Sequence, residues 1–177
     1  MQKTVIVING AGGVGKDTMC NIAARHYKVR NISSITPIKE LAAVCGWKGE
    51  KTDRARKFLS DLKRLTVTYS DYPLRWCEAQ YRDFLTTDEE ILFVHIREAE
   101  EIRKFVDMTE GRAVTLLVRG GPKFLARRRG TGYGNVSDDD VENYPYDYYY
   151  VNEHSLPATE HHFIRLMDRI VREGKNR

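Results

Sequence analysis

The sequence predicts a three-layer α/β/α domain around a five-stranded, mostly parallel sheet. Two observations carry this. Short strand-like runs alternate with amphipathic helical stretches along the chain, the pattern of strands laid parallel by helical crossovers. The first strand also runs straight into a glycine-rich turn that opens a helix, Val5-Ile6-Val7-Ile8-Asn9-Gly10-Ala11-Gly12-Gly13-Val14-Gly15-Lys16-Asp17-Thr18. With 177 residues, 41% hydrophobic and 31% charged, the chain is sized for one domain over 1–177 with a full core.

Strand 1 is placed at 4–9, where Val5 to Ile8 are all β-branched. Helix 16–26 follows, with Met19, Ile22, Ala23 and His26 at i, i+3, i+4, i+7. Strand 28–32 comes next, and then helices at 36–45, 51–69 and 74–85 make 33–88 almost wholly helical. Strand 91–96, helix 98–107 and strand 113–119 continue the alternation. Residues 120–146 hold glycines, a proline, a basic run and an acidic run, and are expected to form a lid-like flap. Within it Ser137 and Asp140 have the spacing of a helix N-terminal capping pair. Strand 147–151 is tyrosine-rich, so alternate rings should pack. Helix 158–173 places Phe163, Leu166, Met167, Ile170 and Val171 on one stripe.

The glycine-rich turn has the spacing of a Walker A phosphate loop. Its glycines let backbone N–H groups close around phosphate oxygens, and the helix N-terminus adds partial positive charge. Gly10, Ala11, Gly12, Gly13, Val14, Gly15 and Lys16 are the expected phosphate cradle, with Lys16 reaching the terminal phosphates. Asp17 stands where the magnesium-binding hydroxyl is usual, and the hydroxyl comes one later at Thr18. Magnesium is therefore assigned to Thr18, or to Asp17 through water.

Ligands in an open α/β sheet sit at the carboxyl ends of the strands. Those ends deliver Ser33, Ser34 and Thr36 after strand 2, His95 and Arg97 after strand 3, Arg119 after strand 4, and Asn152 and Glu153 after strand 5. Asn152 joins the nucleotide-binding set. Arg97 offers a permanently charged fork suited to a phosphoryl group in transfer. The flap adds Lys123, Arg127, Arg128 and Arg129, of which Arg127 and Arg128 are expected to be catalytic. The helical stretch 33–88 is the expected acceptor-binding region, represented by Ser34, Lys39 and Arg64. His161 and His162 are adjacent on a helix and point apart, so they read as surface.

With these residues placed, the chain resembles the deoxynucleoside monophosphate kinases of phage and bacteria, within the P-loop nucleoside monophosphate kinase superfamily. Gly15-Lys16-Asp17-Thr18 resembles the family's Gly-Lys-Asp. Ser34-Ile35-Thr36-Pro37-Ile38-Lys39-Glu40 is similar to its Ala-Asp-Pro-Leu-Lys segment. Val94-His95-Ile96-Arg97 resembles Asp-Val-Arg with His95 where Asp is usual. Tyr146-Asp147 through Val151-Asn152 and Ser155-Leu156 is similar to a stretch near the family's end. The resemblance implies a P-loop kinase core with a helical acceptor region and a lid, and ATP-dependent phosphorylation of a small phosphate ester with magnesium. A (deoxy)nucleoside monophosphate is the first acceptor, another phosphorylated metabolite the second. A non-catalytic ATP-binding regulatory module and end-phosphorylation of nucleic acid stay as alternatives.

Composition narrows the partners. Net charge is +4 and pI about 8.9; a polyphosphate site accounts for that, and a nucleic-acid partner is not expected. No apolar run reaches membrane-spanning length, and with Met-Gln-Lys-Thr leading into the first strand no signal peptide is expected. Cys20, Cys45 and Cys77 lack metal-ligand spacing and read as buried free thiols in a reducing cytoplasm.

Overall fold

In the computed structural model, which describes residues 3–122, 124–126, 140–153 and 155–174, the chain forms a five-stranded sheet flanked by helices. In chain order the elements are β1 (Thr4–Asn9), α1 (Lys16–Ala23), β2 (Val29–Ser33), α2 (Thr36–Val44), α3 (Asp53–Ser70), α4 (Tyr72–Phe84), β3 (Ile91–His95), α5 (Ala99–Met108), β4 (Ala113–Gly120), β5 (Tyr148–Asn152) and α6 (Leu156–Glu173). A short 3₁₀ turn at Asp140–Asn143 precedes β5.

The strand order is β2-β3-β1-β4-β5, and every pairing is parallel. β1 lies in the middle and is buried throughout. Its period-two alternation sends Ile6 and Ile8 to one face and Val5 and Val7 to the other. Ile6 and Ile8 pack with Met19 and Ile22 of α1 and with Phe163, Met167 and Ile170 of α6. Val5 and Val7 pack with Cys77 and Phe84 of α4 and with Ile102 and Phe105 of α5. Two helix layers on one two-sided apolar sheet make the three-layer architecture.

The strands fall within a residue or so of their predicted places. α1 stops at Ala23, short of the expected 26, because Ala24 to Tyr27 close the helix as a turn, with His26 and Tyr27 both donating to the Ala23 carbonyl. In β5 Tyr150 is buried and Tyr149 is exposed, as alternation requires. One expectation is corrected: Cys20 and Cys77 are buried, but Cys45, at the end of α2, is exposed. Burial pushes the Cys20 and Cys77 thiols up to about 12, so both are inert packing groups. Among the described residues no helix is long and apolar enough to cross a membrane.

The topology positions the site. β1 lies between β3 and β4; the crossover from β1 leads to β2 on one side and that from β3 leads to β4 on the other, which opens a crevice at their carboxyl ends. The glycine-rich loop fills the carboxyl end of β1. Register puts Ile8 beside His95 on one side and Asn9 beside Leu117 on the other.

Candidate active site

The loop between β1 and α1 is shaped by backbone that only glycine adopts easily. Gly10, Gly13 and Gly15 have φ of 148°, 76° and 101°. A Cβ on Gly10 would lie 2.3 Å from the Val118 carbonyl oxygen, and one on Gly15 would lie 2.7 Å from Asn152 Nδ2. The loop is thus pressed against β4 and β5, and its outer side is left for a ligand. Asn152 donates from Nδ2 to the Val14 carbonyl at 3.0 Å and so braces the loop from β5.

Asn9 anchors the loop from within. Its Oδ1 accepts from the Gly10 N–H at 2.8 Å, and its Nδ2 donates to the Arg97 carbonyl at 3.0 Å and to the Tyr146 hydroxyl at 2.8 Å. Tyr146 donates in turn to the Val141 carbonyl. Burial raises the Tyr146 phenol to about 12, so it stays protonated and able to donate. One buried amide therefore fixes the start of the loop relative to the backbone that bears Arg97.

Lys16 begins α1 and its ammonium donates to the Gly10 and Ala11 carbonyls at 2.6 and 3.0 Å. It is held within the loop it serves. Beside it a cleft of about 1080 Å³ opens over the carboxyl ends of β1, β2 and β3 and under α2, α3 and α4. Lys16, Asp17, Asn9, Ser34, His95 and Arg97 line its inner part, and Lys39, Arg56, Lys63 and Trp76 line the helical side. Among the described residues Lys39 has no ion-pair partner. The acids on the wall, among the described residues, are Asp17 and Glu98.

The residues fit a magnesium–nucleotide group. The loop is a cradle that a Cβ at Gly10 or Gly15 would break, and a lysine and a carboxylate stand together at its mouth. Magnesium takes one or two protein oxygens and leaves the rest to phosphates and water. Asp17 on the wall meets that need; Thr18 is half-buried and is not part of the wall. Among the described residues there is no cluster of three or more His, Cys, Asp or Glu that would hold a metal unaided.

His95 closes β3 within this crevice, with Nε2 at 2.8 Å from Asn31 Oδ1 and 3.7 Å from Cys20 Sγ. Burial lowers its pKa from the ordinary 6.5, against the opposing pull of Asp17. A neutral imidazole results, held by β2 and α1.

Not every expected residue lies on the cleft. Arg64 is exposed and pairs with Asp61 at 3.7 Å; Arg56, Leu59, Ser60 and Lys63 form the α3 face toward the cleft instead. The four share one helix face, at i, i+3, i+4 and i+7. Arg119 forks onto Glu142, with Nε at 3.1 Å from both carboxylate oxygens, and lies 4.6 Å over the Tyr149 ring. It is tied down as part of the β4–β5 surface. His161 and His162 are both exposed. Lys123, Arg127, Arg128, Arg129 and the capping segment from Ser137 to Asp139 lie outside the described residues. Asn9 and Glu98 were not singled out in the sequence, and Lys63 stood only as one of several cations in 33–88: an asparagine at a strand end, a carboxylate just before a helix and a lysine on one carry no motif of their own.

No family model matches the chain, and no curated protein sequence matches it. Solved structures do. A candidate kinase from Chloroflexus aurantiacus aligns at TM-score 0.56 and 11% identity, over 98% of this chain and 99% of that one. The APS kinase of Mycobacterium tuberculosis, solved with AMPPNP and APS, aligns at 0.51 and 14%, over 94% and 98%. A sugar kinase from Janibacter sp. HTCC2649 aligns at 0.50 and 14%, over 95% of each chain. The chain has the α/β fold of these proteins, a five-stranded parallel sheet with helices on both faces.

Proposed function

We propose that this protein transfers the γ-phosphoryl group of ATP to a small phosphorylated acceptor, a (deoxy)nucleoside monophosphate in the first instance. One observation carries the reading: the phosphate loop opens directly into a cleft whose walls bear Lys39, Arg56 and Arg97 beside Lys16. Such a cleft suits two phosphorylated ligands meeting end to end. The shared fold with a kinase solved with a nucleotide analogue and a second ligand is in keeping with it.

The chemistry asks for positioning and charge, with little covalent work by the protein. An acceptor phosphate oxygen forms a bond to the γ-phosphorus as the bond to the bridging oxygen breaks, and ADP leaves with that electron pair. The acceptor is already an anion, so no base has to remove a proton. Lys16 exchanges its loop carbonyls for phosphate oxygens. Arg97, its backbone pinned by Asn9, neutralises charge on the group in flight. Asp17 would hold magnesium, which would supply charge withdrawal from the phosphates. The flap 120–146, with Arg127 and Arg128, is proposed as the lid over the phosphates, and 33–88 as the acceptor region.

A coupled ADP-release assay across nucleoside monophosphates and other small phosphate esters tests this. Acceptor-dependent ADP release is expected for at least one nucleoside monophosphate. Tight ATP binding without acceptor-dependent turnover would overturn the reading in favour of a regulatory ATP-binding module.

A further inference from the structure

Lys63 and Glu98 both face the cleft, and each is tied to the other. Lys63 is only 16% exposed, with its ammonium 2.6 Å from Glu98 Oε2 and 3.0 Å from Glu101 Oε1. Glu101 stands behind, and its Oε2 is buried with no hydrogen-bond partner. Two carboxylates share one ammonium, so their titrations are linked and the more buried of the two is the harder to ionise. Burial and the neighbouring Glu98 push the Glu101 carboxyl up. Lys63 holds Glu98 below the ordinary range although burial works against it. Negative charge is therefore favoured on Glu98 over Glu101. The Glu98 side chain is 50% exposed on the cleft wall.

Two consequences follow. The charge of Lys63 is taken up by its two carboxylates, so Lys39 and Arg56 are the cations of the helical wall that the reading assigns to acceptor phosphate. Among the described residues the Arg56 guanidinium has one ion pair, with the fully exposed Asp53 at 3.6 Å. Glu98 then places a fixed carboxylate in a cleft built for anions. That arrangement works against any acceptor that does not meet it with hydrogen-bond donors.

Resting on the acceptor reading above, we propose that Glu98 is a specificity residue that reads two adjacent hydrogen-bond donors on the unphosphorylated part of the acceptor. Lys63 and Glu101 position it. A carboxylate has two oxygens in one plane and accepts two parallel donors. A vicinal diol of a sugar has that chemistry, and so does an amino group beside a ring N–H. Trp76, on the same wall, offers a flat apolar surface for a ring that carries such donors. A site built around a buried or half-buried acceptor group rejects the analogue lacking its donor far more strongly than an apolar pocket rejects a missing methylene.

The test compares wild type, Glu98→Gln and Lys63→Met on pairs of acceptors that differ by one donor. Ribo- and 2′-deoxyribonucleoside monophosphates form the sugar arm; guanosine and inosine monophosphates form the base arm. In wild type one arm should show strong discrimination in kcat/KM. Glu98→Gln should narrow that ratio at least about tenfold, through the donor-bearing acceptor, with the KM for ATP unmoved. Lys63→Met leaves the carboxylate in place but unheld and should narrow the same ratio by less. An unchanged ratio in Glu98→Gln, or an equal loss for every acceptor, overturns the proposal and leaves the kinase reading standing. No turnover by wild type on any phosphorylated acceptor overturns both.

Discussion

Lys16, Arg97 and His95 show how much of this site depends on where a single side chain is held. Lys16 rests on the Gly10 and Ala11 carbonyls, so its loss removes charge from the loop without opening the core. Lys16→Met is expected to keep its melting temperature and lose transfer by at least about a hundredfold; a variant that turns over normally would remove the loop from the mechanism. Arg97→Lys keeps the charge and loses the planar fork. Turnover should fall about a hundredfold, in the range of a lost transition-state donor, with ATP affinity nearly constant. Lower stability with full specific activity would make Arg97 a structural group. His95 carries a pH signature. Its folded pKa lies below the ordinary 6.5 because of burial, so between those two values the unfolded chain binds a proton that the folded chain does not. The contribution of this group to stability is therefore complete above about pH 6.5 and is lost as pH falls toward the folded value. His95→Gln should flatten that part of the melting-temperature curve between pH 7 and 5. The same slope in the variant would locate the acid sensitivity elsewhere.

At the scale of elements, the phosphate loop was the most legible part of the chain and the acceptor wall the least. Gly10, Gly15 and Lys16 announce themselves because spacing and residue type are both forced by the backbone: the observed φ of 101° at Gly15 and the contact a Cβ there would make with Asn152 are the physical form of that constraint. Gly15→Ala should destabilise the fold by about 1–2 kcal/mol from the left-handed backbone alone, read from urea unfolding, and weaken ATP binding with it. A variant as stable as wild type would mean that the loop is looser than this packing implies. The strands were legible because β1, β3 and β4 are buried on both faces and read as continuous apolar runs. α3 was legible as a helix but not as a site. Its sequence holds several cations, and choosing Lys63 over Arg64 requires knowing which face meets the cleft. Glu98 was hidden for a related reason: its role depends on Lys63, 35 positions earlier in the chain, and on Glu101 behind it. Pairings at that distance leave no local pattern to read.

Across the whole molecule, burial is unevenly shared between the sheet and the helical stretch 33–88. β1 and β3 are shielded by helices on both faces, with Ile6, Val7, Ile8, Ile91, Leu92, Phe93 and Val94 wholly buried. α3 is 18 residues long and buries only Ala55, while Phe58, Leu65 and Tyr69 remain exposed on it. Regions with few buried apolar groups open at lower free-energy cost than the core that carries global stability. An acceptor element gains from this, because ordering on binding can complete the site only when the right ligand is present. Amide exchange should therefore be fastest in α3 among the long helices of the ligand-free protein, and slowest in β1 and β3, where it should require global unfolding. Adding ATP alone should leave α3 largely unchanged, since Arg56, Leu59, Ser60 and Lys63 line the helical side of the cleft, which the proposal gives to the acceptor. Adding a nucleoside monophosphate with an unreactive ATP analogue should slow exchange across α3 by about tenfold or more, the scale set by a bound ligand in excess of its Kd. If α3 is as protected as β1 before any ligand is added, the acceptor wall is preformed, and selectivity must come from the fixed positions of Glu98 and Lys63 alone.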